Sequence, residues 1–227
     1  MKITFWNIHG LPNLSQCPAI LKHDVIAACE TWSTYQQNPI YLNNFQSYWA
    51  NATREHLVGR PSGGLVTAIC KEYCSEVLED PLDHFKTLHN YDIIILGGDM
   101  NAKVGQADLW LEEIFNGLAL NKVMSTTDHA TCDRGIKLLE FMGDNNFVLI
   151  NGRTDNDTPA QPTFDERGSS IIDLIWVNVT CLHYILDLEV LIEPTLSVHR
   201  PVCLSINIEV SSQDDTMTIT IPRPITK

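Results

Sequence analysis

The sequence predicts an α/β fold in which two packed sheets are flanked by helices. Three observations predict it. Short apolar runs rich in Ile, Val, Leu and Ala outnumber the helical segments, and the helical segments fall between them. With 227 residues and 44% hydrophobic content, the chain has apolar material for one large core, and a two-domain division is unnecessary. No internal repeat, heptad pattern or low-complexity tract interrupts the series.

The first strand, 3–7, is an apolar run ending at Asn7. A helix is expected at 18–23, and an apolar strand at 25–29 then delivers Glu30. Strands follow at 47–52 and 65–70. The stretch 71–91 predicts a turn and a helix at 81–89, with Leu82, Phe85 and Leu88 on one face. Next comes DIIILGGDMN, with a strand at 93–96: isoleucines and a leucine bounded by glycines read as a strand buried on both faces. Gly97 and Gly98 let the backbone turn sharply, so Asp99 and Asn101 project from the carboxyl edge of a sheet, where open α/β folds keep their chemistry. Gly, Asp and Asn are also turn formers, and a plain turn accounts for the same letters. Helices are expected at 109–116 and 135–145, the latter with Ile136, Leu139 and Met142 or Phe141 facing the core. Strands at 147–151, 170–178, 185–192 and 202–208 complete the series. Asp173 lies within the apolar segment 170–178, where an unpaired carboxylate is costly, so it requires a partner.

Asn7, Glu30, Asp99, Asp173 and His199 thus each stand at or just inside a strand end, and each type can handle a hard cation or a phosphate oxygen. Singly, each has a plainer account: Asn7 ends a strand, Glu30 is a surface carboxylate, His199 is a loop histidine. Their recurrence in order points to a site. The remaining histidines form no metal-ligand spacing and are read as structural or solvent-facing, and Trp6 and Trp176 as core.

These segments resemble the endonuclease/exonuclease/phosphatase superfamily, and within it the endonuclease domains of non-LTR (LINE-type) retrotransposons, from Lys2 to about Ile208. WNIHG resembles the opening motif with its asparagine, Asn7, and ACETW the motif that supplies a metal-binding glutamate, Glu30. GGLV resembles the strand that follows, GGDMN the aspartate and asparagine motif, and PTF with SSIID the segment carrying Thr163 and Asp173. NGR at 151–153 and the RPV after His199 resemble the retroelement branch. The resemblance implies a four-layer α/β sandwich of the DNase I type, with two packed, mostly antiparallel sheets, formed by residues 1–210 and followed by a polar, loosely ordered tail at 211–227. It also implies hydrolysis of a phosphate ester. Glu30, with Asn7 nearby, would hold Mg2+ (or Mn2+). Asp99 would orient or deprotonate the attacking water and Asn101 would hold the polar groups in place. His199, oriented by Asp173, would donate to a phosphate oxygen, with Thr163 and Ser170 giving phosphate or supporting hydrogen bonds.

Two departures qualify the resemblance. Where the family has serine, aspartate, histidine, this chain has Ser197, Val198, His199, and an isopropyl group can neither bind metal nor orient water. Between GGLVTAIC and YDIIILGGDMN the chain is also short, and relatives carry extra strands there, one ending in a catalytic tyrosine. Tyr73 lies nearby in a context that does not match. Loss of those strands would leave one sheet with an exposed edge.

Fifteen Lys plus Arg against 28 Asp plus Glu give a net charge of −13, which argues against phosphate contact over the whole surface but not against a local nucleic-acid site. Arg54, Arg60, Lys71, Arg134, Lys137, Arg153 and Arg167 are scattered along the chain. Seven cysteines without a CxxC pair read as free thiols in a reducing compartment. The amino terminus runs directly into a strand, so no signal peptide is expected, no run approaches the roughly 20 apolar residues of a membrane span, and the three sequons are read as accidental. The expectation is an intracellular protein, nuclear or cytoplasmic, with DNA as substrate, no membrane and no protein partner. Three functions stay open: a DNA-nicking phosphodiesterase, a vestigial binding or structural module, and a phosphatase of the same superfamily.

Overall fold

The computed structural model describes residues 1–37, 39–54, 59–73, 93–166, 168–194 and 196–208. The expected helix at 81–89, most of the shortened segment 71–91, Arg167 and the tail at 211–227 lie outside the described residues. The strands are β1 (Lys2–Asn7), β2 (Val25–Cys29), β3 (Phe45–Ala50), β4 (Leu65–Cys70), β5 (Ile95–Asp99), β6 (Phe147–Leu149), β7 (Phe164–Asp165), β8 (Ser169–Ser170), β9 (Asp173–Asn178), β10 (Ile185–Val190) and β11 (Val202–Ile206). Among the described residues the α-helices are α1 (Leu11–Ser15) and α2 (Asp133–Asp144). Among the described residues, no helix is long and apolar enough to cross a membrane.

One sheet has six strands in the order β10-β11-β1-β2-β4-β3, the other three in the order β5-β9-β6, and β7 and β8 form a short ribbon. β1 and β2 run parallel, and every other described pair is antiparallel. The two-residue side-chain period of a strand then sorts the layers. Ile3 and Phe5 of β1, Val25 of β2, Ile175 and Val177 of β9, and Val202 and Leu204 of β11 share the core between the sheets. Their alternates face outward: Trp6, Ile26, Val66 and Ala68 meet Leu11 and Leu14 of α1. Leu174 and Trp176 meet Leu139 and Met142 of α2. The order of layers is therefore helix, six-stranded sheet, three-stranded sheet, helix, the sandwich that the motifs imply. Each fully buried Leu, Ile or Phe in it contributes about 1.5–3 kcal/mol of transfer free energy.

Local expectations differ in five places. Gly97 and Gly98 do not turn the chain after a strand at 93–96 buried on both faces: they lie inside β5, paired with Ile175 and Leu174, and β5 is half-buried at the edge of its described sheet. The helix at 18–23 is one short turn, Ile20–Lys22, and the true helix comes earlier, where Pro12 fits a first turn and Leu11 and Leu14 are buried. The helix at 109–116 is likewise a single turn, Glu112–Phe115, pinned by buried Phe115. In α2 the inward stripe is Gly135, Leu139 and Met142, while Ile136 and Phe141 are 46% and 62% exposed. The cause is close approach: a Cβ on Gly135 would lie 1.8 Å from the Lys103 carbonyl oxygen, so the helix docks on its glycine and turns Ile136 away. Finally, 170–178 is not one strand. The N–H groups of Ile172 and Asp173 donate to Thr163 Oγ1, and that of Ile171 to Asp128, so side chains take the backbone bonds a ladder would use.

Candidate active site

The parallel pairing of β1 and β2 sets Asn7 opposite Cys29, so Asn7 and Glu30 leave the six-stranded sheet at the same end. In the other sheet, the register of β5 on β9 sets Asp99 opposite Asp173. Stacking the two sheets closes the group. Asn7 Nδ2 donates to Asp99 Oδ2 at 3.1 Å, linking one sheet to the other. His199, just before β11, enters from the side of β1: the Trp6 indole N–H donates to its carbonyl oxygen at 2.9 Å. Ser197 Oγ donates to the Asn7 carbonyl oxygen at 2.8 Å and accepts from the His199 N–H at 3.1 Å.

His199 Nδ1 lies 2.9 Å from Asp173 Oδ2, and both side chains are buried. Burial acts to lower the imidazole's pKa, but the Asp173 hydrogen bond and the charges of Asp173, Asp99 and Glu30 outweigh it and hold the pKa above its ordinary value. Burial likewise pushes the Asp173 carboxyl up, opposed by His199. His199 Nε2 stands 3.7 Å from Asp99 Oδ2, too far for a hydrogen bond but close enough for one oxygen atom to touch both. Asp99 is fixed by the Asn101 N–H at 3.0 Å and Asn101 Nδ2 at 3.2 Å, with Asn101 itself at a positive φ of 48°, a conformation asparagine tolerates.

Glu30 leaves β2 with a φ of 54°. Its Oε2 accepts from Trp32 Nε1 at 2.9 Å and from the Gly63 N–H at 3.1 Å. Its Oε1 accepts no hydrogen bond from the described residues. The donor set fits a hard divalent cation: Glu30 keeps one carboxylate oxygen unspent, and Asp173 Oδ1 is buried with no hydrogen-bond partner. Asp99, Asp173 and His199 also offer one ligand atom each within 4.8 Å of one another, although His199 commits Nδ1 to Asp173.

Thr163 and Ser170 are both buried. Thr163 Oγ1 receives the Ile172 and Asp173 N–H groups at 3.1 and 3.0 Å and thereby fixes the backbone that carries Asp173, while the Ser170 carbonyl accepts from the Thr163 N–H. Sequence reasoning missed the props. Asn151 Nδ2 donates to the Asp173 carbonyl oxygen at 3.3 Å and its Oδ1 accepts from the Ile175 N–H at 2.8 Å. Arg153 is buried, ion-paired with Asp108 and stacked 4.1 Å over Phe115, so its charge is spent inside the fold. Trp6, read as plain core, anchors His199. Ser197, adjoining His199 in the chain, was the signal within reach; the others needed the fold. Val198 stands half-buried beside His199, its carbonyl oxygen accepting from the Asp165 N–H.

A family model described as endonuclease-reverse transcriptase matches residues 67–203. No curated protein matches the sequence. Among solved structures, the fold is similar to an AP endonuclease from Archaeoglobus fulgidus, at a TM-score of 0.57 and 12% identity over 92% of this chain and 100% of that one. It is similar to the endonuclease domain of TRAS1, a telomere-specific non-LTR retrotransposon, at 0.53 and 14% over 92% and 99%. A third likeness is the 3′ phosphatase NExo from Neisseria bound to a product DNA hairpin, at 0.56 and 15% over 92% and 100%.

Proposed function

We propose, from the premise that this chain belongs to the endonuclease–reverse transcriptase family and so to the nuclease-type hydrolases, that it cuts phosphodiesters in DNA as the endonuclease portion of a retroelement, with catalysis impaired at Val198. The observation that carries this reading is the meeting of Asn7, Asp99, His199 and Asp173 across the two sheets, beside a Glu30 carboxylate with one oxygen that accepts no hydrogen bond from the described residues. Asp99 accepts the proton of a water whose oxygen attacks phosphorus; the bond to the leaving oxygen breaks and that oxygen takes a proton from solvent, giving a phosphate monoester and an alcohol. Asn7 and Asn101 hold Asp99 in its acceptor orientation. His199, kept charged by Asp173, donates from Nε2 to a phosphoryl oxygen as negative charge builds there. Glu30, with Asn7, would hold a divalent cation, which when bound neutralises phosphate charge and orients the scissile group.

Val198 argues for low turnover. Removing one preorganised polar group from such a site costs on the order of 10² to 10³ in rate. The same observation supports a second reading, in which the domain keeps the site and binds without cutting.

A supercoiled-plasmid nicking assay with magnesium tests both. Wild-type chain should nick slowly, Val198→Asp faster, and Glu30→Ala not at all. Nicking by Val198→Asp alone would favour the binding reading. Inactivity of both on DNA with phosphate release from a small ester would replace the nuclease reading with a phosphatase.

A further inference from the structure

Arg60, His9 and Trp32 form a cluster beside the site that the hydrolytic roles leave unused. The Arg60 guanidinium lies 4.2 Å over the Trp32 ring. Its Nη1 donates to His9 Nε2 at 2.9 Å, and the His9 and Trp32 rings meet edge to face at 4.6 Å. Arginine can only donate, so Nε2 is the acceptor in this contact. Neither partner brings a negative charge to Arg60. Among the described residues Arg60 joins no ion pair, so its recorded partners are the Trp32 ring and His9. The Arg60 side chain is exposed.

The cluster is also tied to Glu30. Trp32 carries Arg60 on its face and gives its indole N–H to Glu30 Oε2, so a single ring separates the guanidinium from that carboxylate. The backbone beneath is held in place: His9 and Trp32 have positive φ of 50° and 56°. The Gly10 N–H donates to the Glu30 carbonyl at 2.8 Å, and a Cβ on Gly10 would sit 3.0 Å from the Trp32 ring. Residues keep such backbone angles only where their surroundings over-determine them.

We propose that Arg60, pre-set on Trp32, binds a phosphate of the nucleic-acid strand next to the one that is cut, and so fixes the register of that strand against Glu30. The proposal rests on the nuclease reading and names a contact within it. One of the five guanidinium N–H donors is spent on His9, which leaves the others for a phosphate, and a side chain already stacked loses little freedom when the strand arrives.

Fluorescence anisotropy of a short DNA duplex in EDTA, where nothing is cut, tests this across a salt series with wild-type chain, Arg60→Gln and Arg60→Lys. Arg60→Gln should weaken binding and reduce the slope of log K against log salt by about one, the signature of one lost phosphate contact. Arg60→Lys should keep the wild-type slope, since it keeps the charge, while binding less tightly for want of the stacked fork. Equal slopes for wild type and Arg60→Gln, with unchanged circular dichroism, would overturn the phosphate contact and leave the nuclease reading standing. A wild-type chain that neither binds nor nicks DNA would overturn that reading and this contact with it.

Discussion

His199 Nδ1 and Asp173 Oδ2 meet at 2.9 Å although the residues are 26 positions apart and belong to opposite sheets of the sandwich. Asp173 opens β9 in the three-stranded sheet; His199 leads into β11 in the six-stranded one. The pair is a weld between layers as well as a device for holding a proton. Thr163 and Asn151 fix the backbone on the aspartate side, Trp6 and Ser197 on the histidine side.

The first expected outcome concerns pH. The pKa of His199 is held above 6.5, so the imidazolium is complete below that value and is lost only as pH rises through the raised one. Hydrolysis that needs the imidazolium should therefore persist beyond pH 6.5 and decline on the alkaline side. Asp173→Asn removes the charge that keeps the proton, so the alkaline limb should move to lower pH, with a rate loss on the order of 10² to 10³. The rate–pH profile in a Val198→Asp background gives the signal needed, and an unmoved limb would separate Asp173 from the proton.

A second outcome concerns the cation. Trp32 Nε1 is one of two donors that fix Glu30 Oε2, and partners that orient a ligating carboxylate commonly carry 10- to 100-fold in metal affinity. Trp32→Phe keeps an aromatic ring and deletes that donor. Calorimetric titration with Mn2+ should show affinity about tenfold weaker than wild type, and Glu30→Ala should abolish the heat of binding. Identical titrations for all three chains would place the cation elsewhere.

Much of this architecture was legible in the sequence because strand ends carry their own punctuation. The apolar run ahead of Asp99 and the polar residues of WN, CE and VH placed Asn7, Glu30, Asp99 and His199 beside strand ends, although Gly97 and Gly98 continue β5 and make no turn. Short helices were less legible. The helix at Leu11–Ser15 and the turn at Ile20–Lys22 both pack into the cluster with Ile26 and Val66, which a local window does not see. The face of α2 was misjudged because apolar periodicity ranks Ile136 above Gly135, while close approach to the Lys103 carbonyl selects the glycine. Arg60 was unreadable as a site residue because its partners, His9 and Trp32, lie far away in the chain.

A third outcome tests how tightly the sheets are stacked behind Asp99. A Cβ on Gly97 would come within 2.6 Å of Ile175 Cδ1 and 2.7 Å of the Phe5 ring, side chains facing each other from the two sheets. Gly97→Ala should cost about 1–3 kcal/mol through overpacking. For a chain of this size that lowers the melting temperature by several degrees, at about 2–4 °C per kcal/mol. Calorimetry showing no loss would mean that the sheets part without cost.

The fourth outcome isolates a buried carboxyl outside the site. Asp157 is fully buried, and burial, with the nearby charge of Asp187, pushes its pKa from 3.8 up to about 6, against the opposing pull of the Gly152 and Gln161 N–H groups, each 2.9 Å from a carboxylate oxygen. Between those two values the folded chain binds more protons at this position than the unfolded chain does, so its contribution to stability is complete below pH 4 and is lost as pH rises to about 6. A shift of that size corresponds to roughly 3 kcal/mol. Asp157→Asn keeps one acceptor for the two N–H groups and cannot ionise. Urea unfolding at intervals between pH 4 and 7 should therefore show the variant gaining on wild type across that window by an amount of this order. Parallel stability curves for the two chains would show that Asp157 ionises inside the fold at no cost, and that its two backbone donors offset its burial completely.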